Sequence, residues 1–153
     1  MPSASRARRT MTLFVPASAK RNLVALADGD LTLASVLVPV DDRPSPRAAI
    51  EFARRVAEVI GDKRVPIVVL HVGDQDSGSS FESTDGDTWA FERLQRTGDP
   101  VEQILETAEE IGANLVVMPT AGRNGFLDAM RGSTTERVLR RAPCPVLAVP
   151  AHD

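Results

Sequence analysis

Two apolar patterns alternate along this chain. The first is the continuous run, found at residues 36–40, 65–72, 115–118 and 146–149. Short apolar runs bounded by turn residues suit strands covered on both faces, as in a parallel sheet. The second is the helical stripe. Ala49, Phe52, Ala53, Val56, Ala57 and Ile60 recur at steps of three and four, behind Ser45 as cap and Pro46 at the first helical position, with Gly61 as the stop. Val101, Ile104, Leu105, Ala108 and Ile111 repeat the pattern behind a capping Asp99 and Pro100, and Gly112 closes it. A shorter helix opens at Ser133-Thr134-Thr135-Glu136, a capping box, and stops at Pro143. Arg137, Arg140 and Arg141 fall in its later half, where the helix dipole favours cations.

The remaining segments complete the order. Residues 88–94 alternate Trp89, Phe91 and Arg93 against Ala90, Glu92 and Leu94, which predicts a half-exposed edge strand. Residues 73–87 are acidic and rich in Gly and Ser, and read as a loop. Residues 11–34 hold three short apolar groups, the last two parted by Asp28-Gly29-Asp30, and read as an extended segment plus a hairpin. The order strand, helix, strand, loop, strand, helix, strand, helix, strand predicts an α/β fold. It is a doubly wound, mainly parallel five-stranded sheet over residues 34–150, with an N-terminal β extension over residues 11–33. The crossover after the second core strand lacks a helical stripe. Residues 11–34 are expected to cover the sheet face left bare there, or to add an edge strand.

Composition narrows the function. A chain of 153 residues suffices for one domain with a proper core. The net charge of -3 argues against nucleic-acid binding through a basic surface, and six aromatic residues are too few for base-stacking platforms. No run of 18 apolar residues predicts a membrane-spanning helix. A single cysteine, Cys144, excludes an internal disulfide framework and a multi-cysteine zinc site, and fits a reducing, cytoplasmic setting. Residues 1–27 hold five basic residues and no acid, and residues 1–10 are expected to form a poorly ordered basic tail.

Candidate chemistry gathers where open α/β sheets bind ligands, beyond the carboxyl ends of the strands. Those ends carry Val40 and Asp41, then Val72, then the stretch from Pro119 to Ser133. Gly122 is followed, after nine intervening residues, by Gly132-Ser133 at a helix start. Glycine lets a backbone approach an anion, Ser133 and the free N–H groups of the helix donate to phosphate, and Arg123 adds charge. Asp41 is placed to accept bonds from a ribose or an amino group. Gly122 and Gly125 serve equally as turn residues, and Ser133 with Glu136 caps a helix with or without a ligand. No Gly-x-x-x-x-Gly-Lys-Ser/Thr and no Gly-x-Gly-x-x-Gly occurs. His71 reads as a packed histidine, Cys144 as a core residue, and Asp74, Asp76, Asp85 and Asp87 as a solvated acidic loop lacking calcium-loop spacing.

Taken in order, these segments resemble the universal stress protein family. The matching residues are Val36-Leu37-Val38-Pro39-Val40-Asp41, Val69-Leu70-His71-Val72, Asn114-Leu115-Val116-Val117-Met118 with Thr120, Gly122 and Arg123, and Gly132-Ser133 through Pro145-Val146-Leu147-Ala148-Val149. The resemblance implies the adenine-nucleotide alpha-hydrolase-like fold and a stress-response regulatory module, not an enzyme, that binds ATP or AMP, with Mg2+ accompanying a triphosphate. It implies a nucleotide site from Pro39, Val40, Asp41, Val72, Met118, Thr120, Gly122, Arg123, Gly125, Gly132, Ser133 and Thr134, and a homodimer through the last strand, between Val146 and Val149. Pro119 replaces the first glycine of the family's nucleotide signature and takes away one backbone donor. The alternative reading is a dimeric interaction protein of the same fold that binds no nucleotide.

Overall fold

The computed structural model describes residues 11–23, 29, 33–41, 45–60, 65–74, 91–120 and 133–151. Among the described residues nine elements follow one another: β1 (Thr12–Phe14), β2 (Val36–Val40), α1 (Arg47–Ile60), β3 (Ile67–Val72), β4 (Phe91–Arg96), α2 (Pro100–Glu110), β5 (Leu115–Thr120), α3 (Thr134–Arg141) and β6 (Val146–Pro150). They form one six-stranded sheet in the order β1-β6-β5-β2-β3-β4. Five strands are parallel, and β1 alone is antiparallel, against β6.

The apolar runs are continuous because helices cover both faces of the sheet. Side chains alternate between faces along each strand. Val36, Val38, Val40, Ile67, Val69, Leu115 and Val117 point to α1, against Ala49, Ile50, Ala53 and Ala57. Leu37, Val68, Leu70, Val116 and Met118 point the other way, against Val101, Ile104, Leu105 and Ala108 of α2 and Val138 of α3. The small residues of α1 let that helix lie close over the middle of the sheet.

Local signals act largely as their chemistry dictates. Gly112 takes a φ of 63° at the end of α2. Its N–H bonds Glu109 O at 3.2 Å and that of Ala113 bonds Ala108 O at 3.0 Å, the paired closure of a glycine-stopped helix. Ser133 caps α3, its hydroxyl accepting Glu136 N–H at 3.1 Å. Asp99 corrects one expectation: it occupies the N-cap of α2, but its side chain makes no capping bond. Its carboxylate lies 3.9 Å from Arg137 instead.

The N-terminal extension supplies an edge strand. β1 pairs with β6, and the chain then passes the link between α3 and β6, where Lys20 and Arg21 donate backbone N–H groups to Pro143 O. Of the hairpin turn expected at residues 28–30, only Gly29, with φ of 75°, is among the described residues. The expected tail at 1–10 lies outside them.

β4 ends later than its alternation suggested, at Arg96, and residues 88–90 lie outside the described residues. It forms the far edge of the sheet, half-exposed as expected. Glu92, Arg93 and Gln95 face solvent, a polar edge that discourages strand pairing with other chains. Arg96 reaches back to Glu110 of α2. The connection from β3 to β4 is described only at Gly73 and Asp74, so the expected helix-free crossover falls outside the described residues.

Candidate functional site

β2 lies where the strand order reverses, the place at which open α/β sheets leave a crevice. Its two ladders are unequal. With β3 it pairs at every position from Val36↔Ile67 to Val40↔His71. With β5 it pairs only at Val36↔Leu115 and Leu37↔Val116.

The cause lies in two prolines. Successive N–H groups of a strand point to alternate neighbours. Val36 N–H bonds Pro66 O on the β3 side, so positions 38 and 40 also face β3, and positions 37 and 39 face β5. Val116 N–H bonds Pro145 O on the β6 side, so positions 117 and 119 face β2. The donors that would continue the β2–β5 ladder therefore belong to Pro39 and Pro119, and proline has none. The opposite ladder of β5 is untouched and runs on to Thr120↔Pro150. The seam unzips at its carboxyl end. The carbonyls of Pro39 and Val117 lose the ladder donors that non-proline residues would bring. Proline argues against a central strand from sequence alone. Both are tolerated here because their missing donors meet across one seam.

The predicted residues divide into three groups. Pro39, Val40, Asp41, Met118 and Thr120 lie along this seam. Pro39 and Val40 are buried, and Asp41 is exposed at the mouth. Continuing the β2–β5 register sets Thr120 level with Asp41. Thr120 is 6% exposed, and its hydroxyl is buried without a hydrogen-bond partner. Met118 faces the α2 and α3 side, and Thr120, two residues on, alternates to the same side. The second group stands apart: Val72, half-buried, ends β3 one residue beyond the partner of Val40, while Ser133 and Thr134 open α3. Gly122, Arg123, Gly125 and Gly132 lie outside the described residues.

Other titratable groups have structural roles. His71 is buried, with Nδ1 3.0 Å from Gln95 Oε1, while Gln95 Nε2 donates to Gly73 O at 2.7 Å. A carbonyl can only accept, so this bond orients the Gln95 amide and assigns the proton to His71 Nδ1. Cys144 is buried, and burial pushes its thiol up to about 12, far from a reactive thiolate. Among the described residues, no group of three or more His, Cys, Asp or Glu is arranged to hold a metal ion.

The universal stress protein family model matches residues 82–150. A universal stress protein of Methanocaldococcus jannaschii is 46% identical over 52 residues, 34% of this chain and 31% of that protein, so the match spans about a third of the relative. A universal stress protein of Synechocystis is 25% identical over 153 aligned residues, 87% of this chain and 96% of the relative. The crystal structure of a universal stress protein from Archaeoglobus fulgidus superposes with a TM-score of 0.65 at 27% identity, covering 76% of this chain and 45% of that one. A universal stress protein in complex with cAMP superposes at 0.55 and 20% identity, covering 77% and 97%. A family protein of Arabidopsis thaliana with AMP bound does so at 0.50 and 18%, covering 78% and 92%. The last two are likenesses of fold. Its sheet order, its matched segment and these relatives agree in one likeness, to the universal stress proteins.

Proposed function

We propose that this chain is a stress-response regulatory module that binds an adenine nucleotide, ATP or AMP, at the carboxyl ends of β2, β3 and β5. The observation that carries this reading is the Thr120 hydroxyl, buried and unpartnered beside the unzipped seam. A buried hydroxyl without a partner costs about 1–3 kcal/mol, and a polar ligand atom removes that cost. The seam carbonyls of Pro39 and Val117 are acceptors suited to an exocyclic amino group. Asp41, at the mouth, suits ribose hydroxyls. Ser133, Thr134 and the N-terminus of α3 suit phosphate, joined by Gly122, Arg123, Gly125 and Gly132. Mg2+ accompanies a triphosphate. The structural neighbours with cAMP and AMP support an adenine ligand on this fold. The role is regulatory, not enzymatic, in a cytoplasmic setting.

Pro119 favours the second reading, a nucleotide-free interaction module, because it removes a backbone donor from the signature turn. Calorimetric titration with Mg-ATP and with AMP separates the two. Micromolar binding, about -8 kcal/mol, supports the site. Thr120→Val should then weaken it by about 5- to 10-fold, the loss of one hydrogen bond of ordinary strength. Asp41→Ala should weaken adenosine as well as ATP. No heat and no thermal shift at millimolar nucleotide would refute the site. A homodimer through the β6 edge, between Val146 and Val149, joins this reading only once β1 has left that edge.

A further inference from the structure

Among the described residues, the large apolar side chains left exposed are Met11, Leu13, Val15 and Val59, at 43%, 49%, 63% and 83%. All four lie on one side of the molecule. Leu13 stands level with Leu147, and partners across an antiparallel ladder share a face. Leu147 belongs to the α1 side of the sheet, so Met11, Leu13 and Val15 point there too. Val59 lies on α1 itself, where it extends the stripe of Ala48, Phe52 and Arg55 by one turn. That stripe meets β1 and β6 around a cavity of about 160 Å³, lined also by Met11, Val149 and Pro150. β1 and α1 thus border an apolar trough at the edge of the sheet. Exposed apolar side chains gathered in this way mark an interaction surface, where scattered ones do not.

Charge indicates the partner. Arg6, Arg8, Arg9, Lys20 and Arg21 fall within residues 1–27, which hold no acid, on a chain whose net charge is -3. The basic residues are thus concentrated around β1, and the rest of the chain is strongly acidic. Arg6, Arg8 and Arg9 stand directly ahead of Met11, at the head of the trough. The acid that lines the trough, Glu51, is paired with Arg55 at 3.0 Å. We infer that the trough and the arginines ahead of it form a docking surface for an anionic lipid membrane. A lipid interface takes both halves of this surface, apolar side chains below the headgroups and cations among the phosphates. A nucleic acid would pair the cations and leave the apolar side chains in water. A second copy seated here about a two-fold axis would bring two basic segments together. Each arginine near an anionic surface strengthens partitioning by about 5-fold, so three give about 100-fold. Stable anchoring takes two signals, and the apolar side chains supply the second.

The test is flotation of the full chain with phosphatidylcholine vesicles, with and without about 30% phosphatidylserine, in about 0.1 M NaCl. The protein should float with the anionic vesicles and stay behind with the neutral ones. Arg6→Gln, Arg8→Gln and Arg9→Gln together should lower the partition coefficient by about 100-fold. Leu13→Gln with Val15→Gln keeps every charge and should lower it by about 10-fold. Both side chains already face solvent, so the melting temperature should hold. Should β1 nevertheless be disturbed, Val59→Gln on the outer face of α1 leaves that strand alone and should still weaken binding by about 3- to 5-fold. No flotation with the anionic vesicles, equal flotation with the neutral ones, or binding indifferent to the apolar variants would each overturn the inference. So would tighter binding to duplex DNA than to the anionic vesicles, or a dimer in sedimentation velocity that Leu13→Gln with Val15→Gln dissociates.

Discussion

Arg21→Ala tests whether the N-terminal strap is anchored as the geometry indicates. The Arg21 side chain is 29% exposed and donates to Ala113 O at 2.8 Å and Ala108 O at 3.0 Å. It thereby places a cation on the last turn of α2, and its Nη1 also lies 3.5 Å from Glu109. Hydrogen bonds from a charged group contribute about 1.5–3 kcal/mol each when buried, and partial exposure reduces that. A cation at a helix C-terminus adds about 0.3–1 kcal/mol. The Glu109 pair, half in solvent, adds little. The variant should lose about 2–4 kcal/mol, or roughly 5–15 °C in Tm for a domain of this size. Thermal melts by circular dichroism in low salt and in 1 M NaCl provide the assay. The loss should persist at high salt, because the main partners are carbonyls. Arg21→Lys should recover less than half, since an ammonium is a point charge and cannot fork to two carbonyls. Lys20→Ala is the control: its contact with Glu109 is exposed at both ends and should matter by less than about 0.5 kcal/mol. A loss under about 1 kcal/mol for Arg21→Ala, or one erased by salt, would reduce the anchor to a screened surface pair and refute the reasoning.

Other outcomes follow from individual contacts. Leu37 is fully buried between the β2 ladders and α2, so Leu37→Ala should cost about 2–5 kcal/mol in urea titration. Ser133→Ala removes the hydroxyl that caps α3 and should cost about 1 kcal/mol, with Ser133→Asp restoring most of it. The Glu110 carboxyl is held below its ordinary range by its hydrogen bonds from Arg96, and Glu102 likewise by Arg141. Their contribution is present above the unfolded carboxylate range and is lost as pH falls through the lowered folded values. Tm should therefore drop as pH falls below about 4.3, and the Glu102→Gln, Glu110→Gln double variant should flatten that drop. Cys144 should resist thiol reagents at pH 8 in the native protein and react at once in urea, because burial holds its thiol up to about 12; prompt native labelling would contradict that burial.

Most elements were legible before any coordinates. A strand covered on both faces leaves an unbroken apolar run, and a helix lying on a sheet leaves a stripe, so β2, β3, β5, β6 and the three helices follow from residue order. Gly112 and Ser133 act within a few residues, where chain neighbours settle the geometry. β4 runs past its expected end because alternation reports that a side chain points out or in, not where pairing stops. Asp99 sits at its cap position without its bond, since a carboxylate near Arg137 has a competing attraction. Pro119 was legible as a lost donor, but not as half of a pair with Pro39.

The sequence by itself therefore determined the elements and the two-faced core. Those depend on burial periodicity and on contacts a few residues apart. Tertiary structure alone decided which neighbour each strand has. Strand order directs the missing donors of Pro39 and Pro119 into one seam, and leaves the Thr120 hydroxyl buried beside it. It also sets three residues of β1 on the β6 edge, more than 130 positions away, a pairing too short to leave any periodic signal of its own.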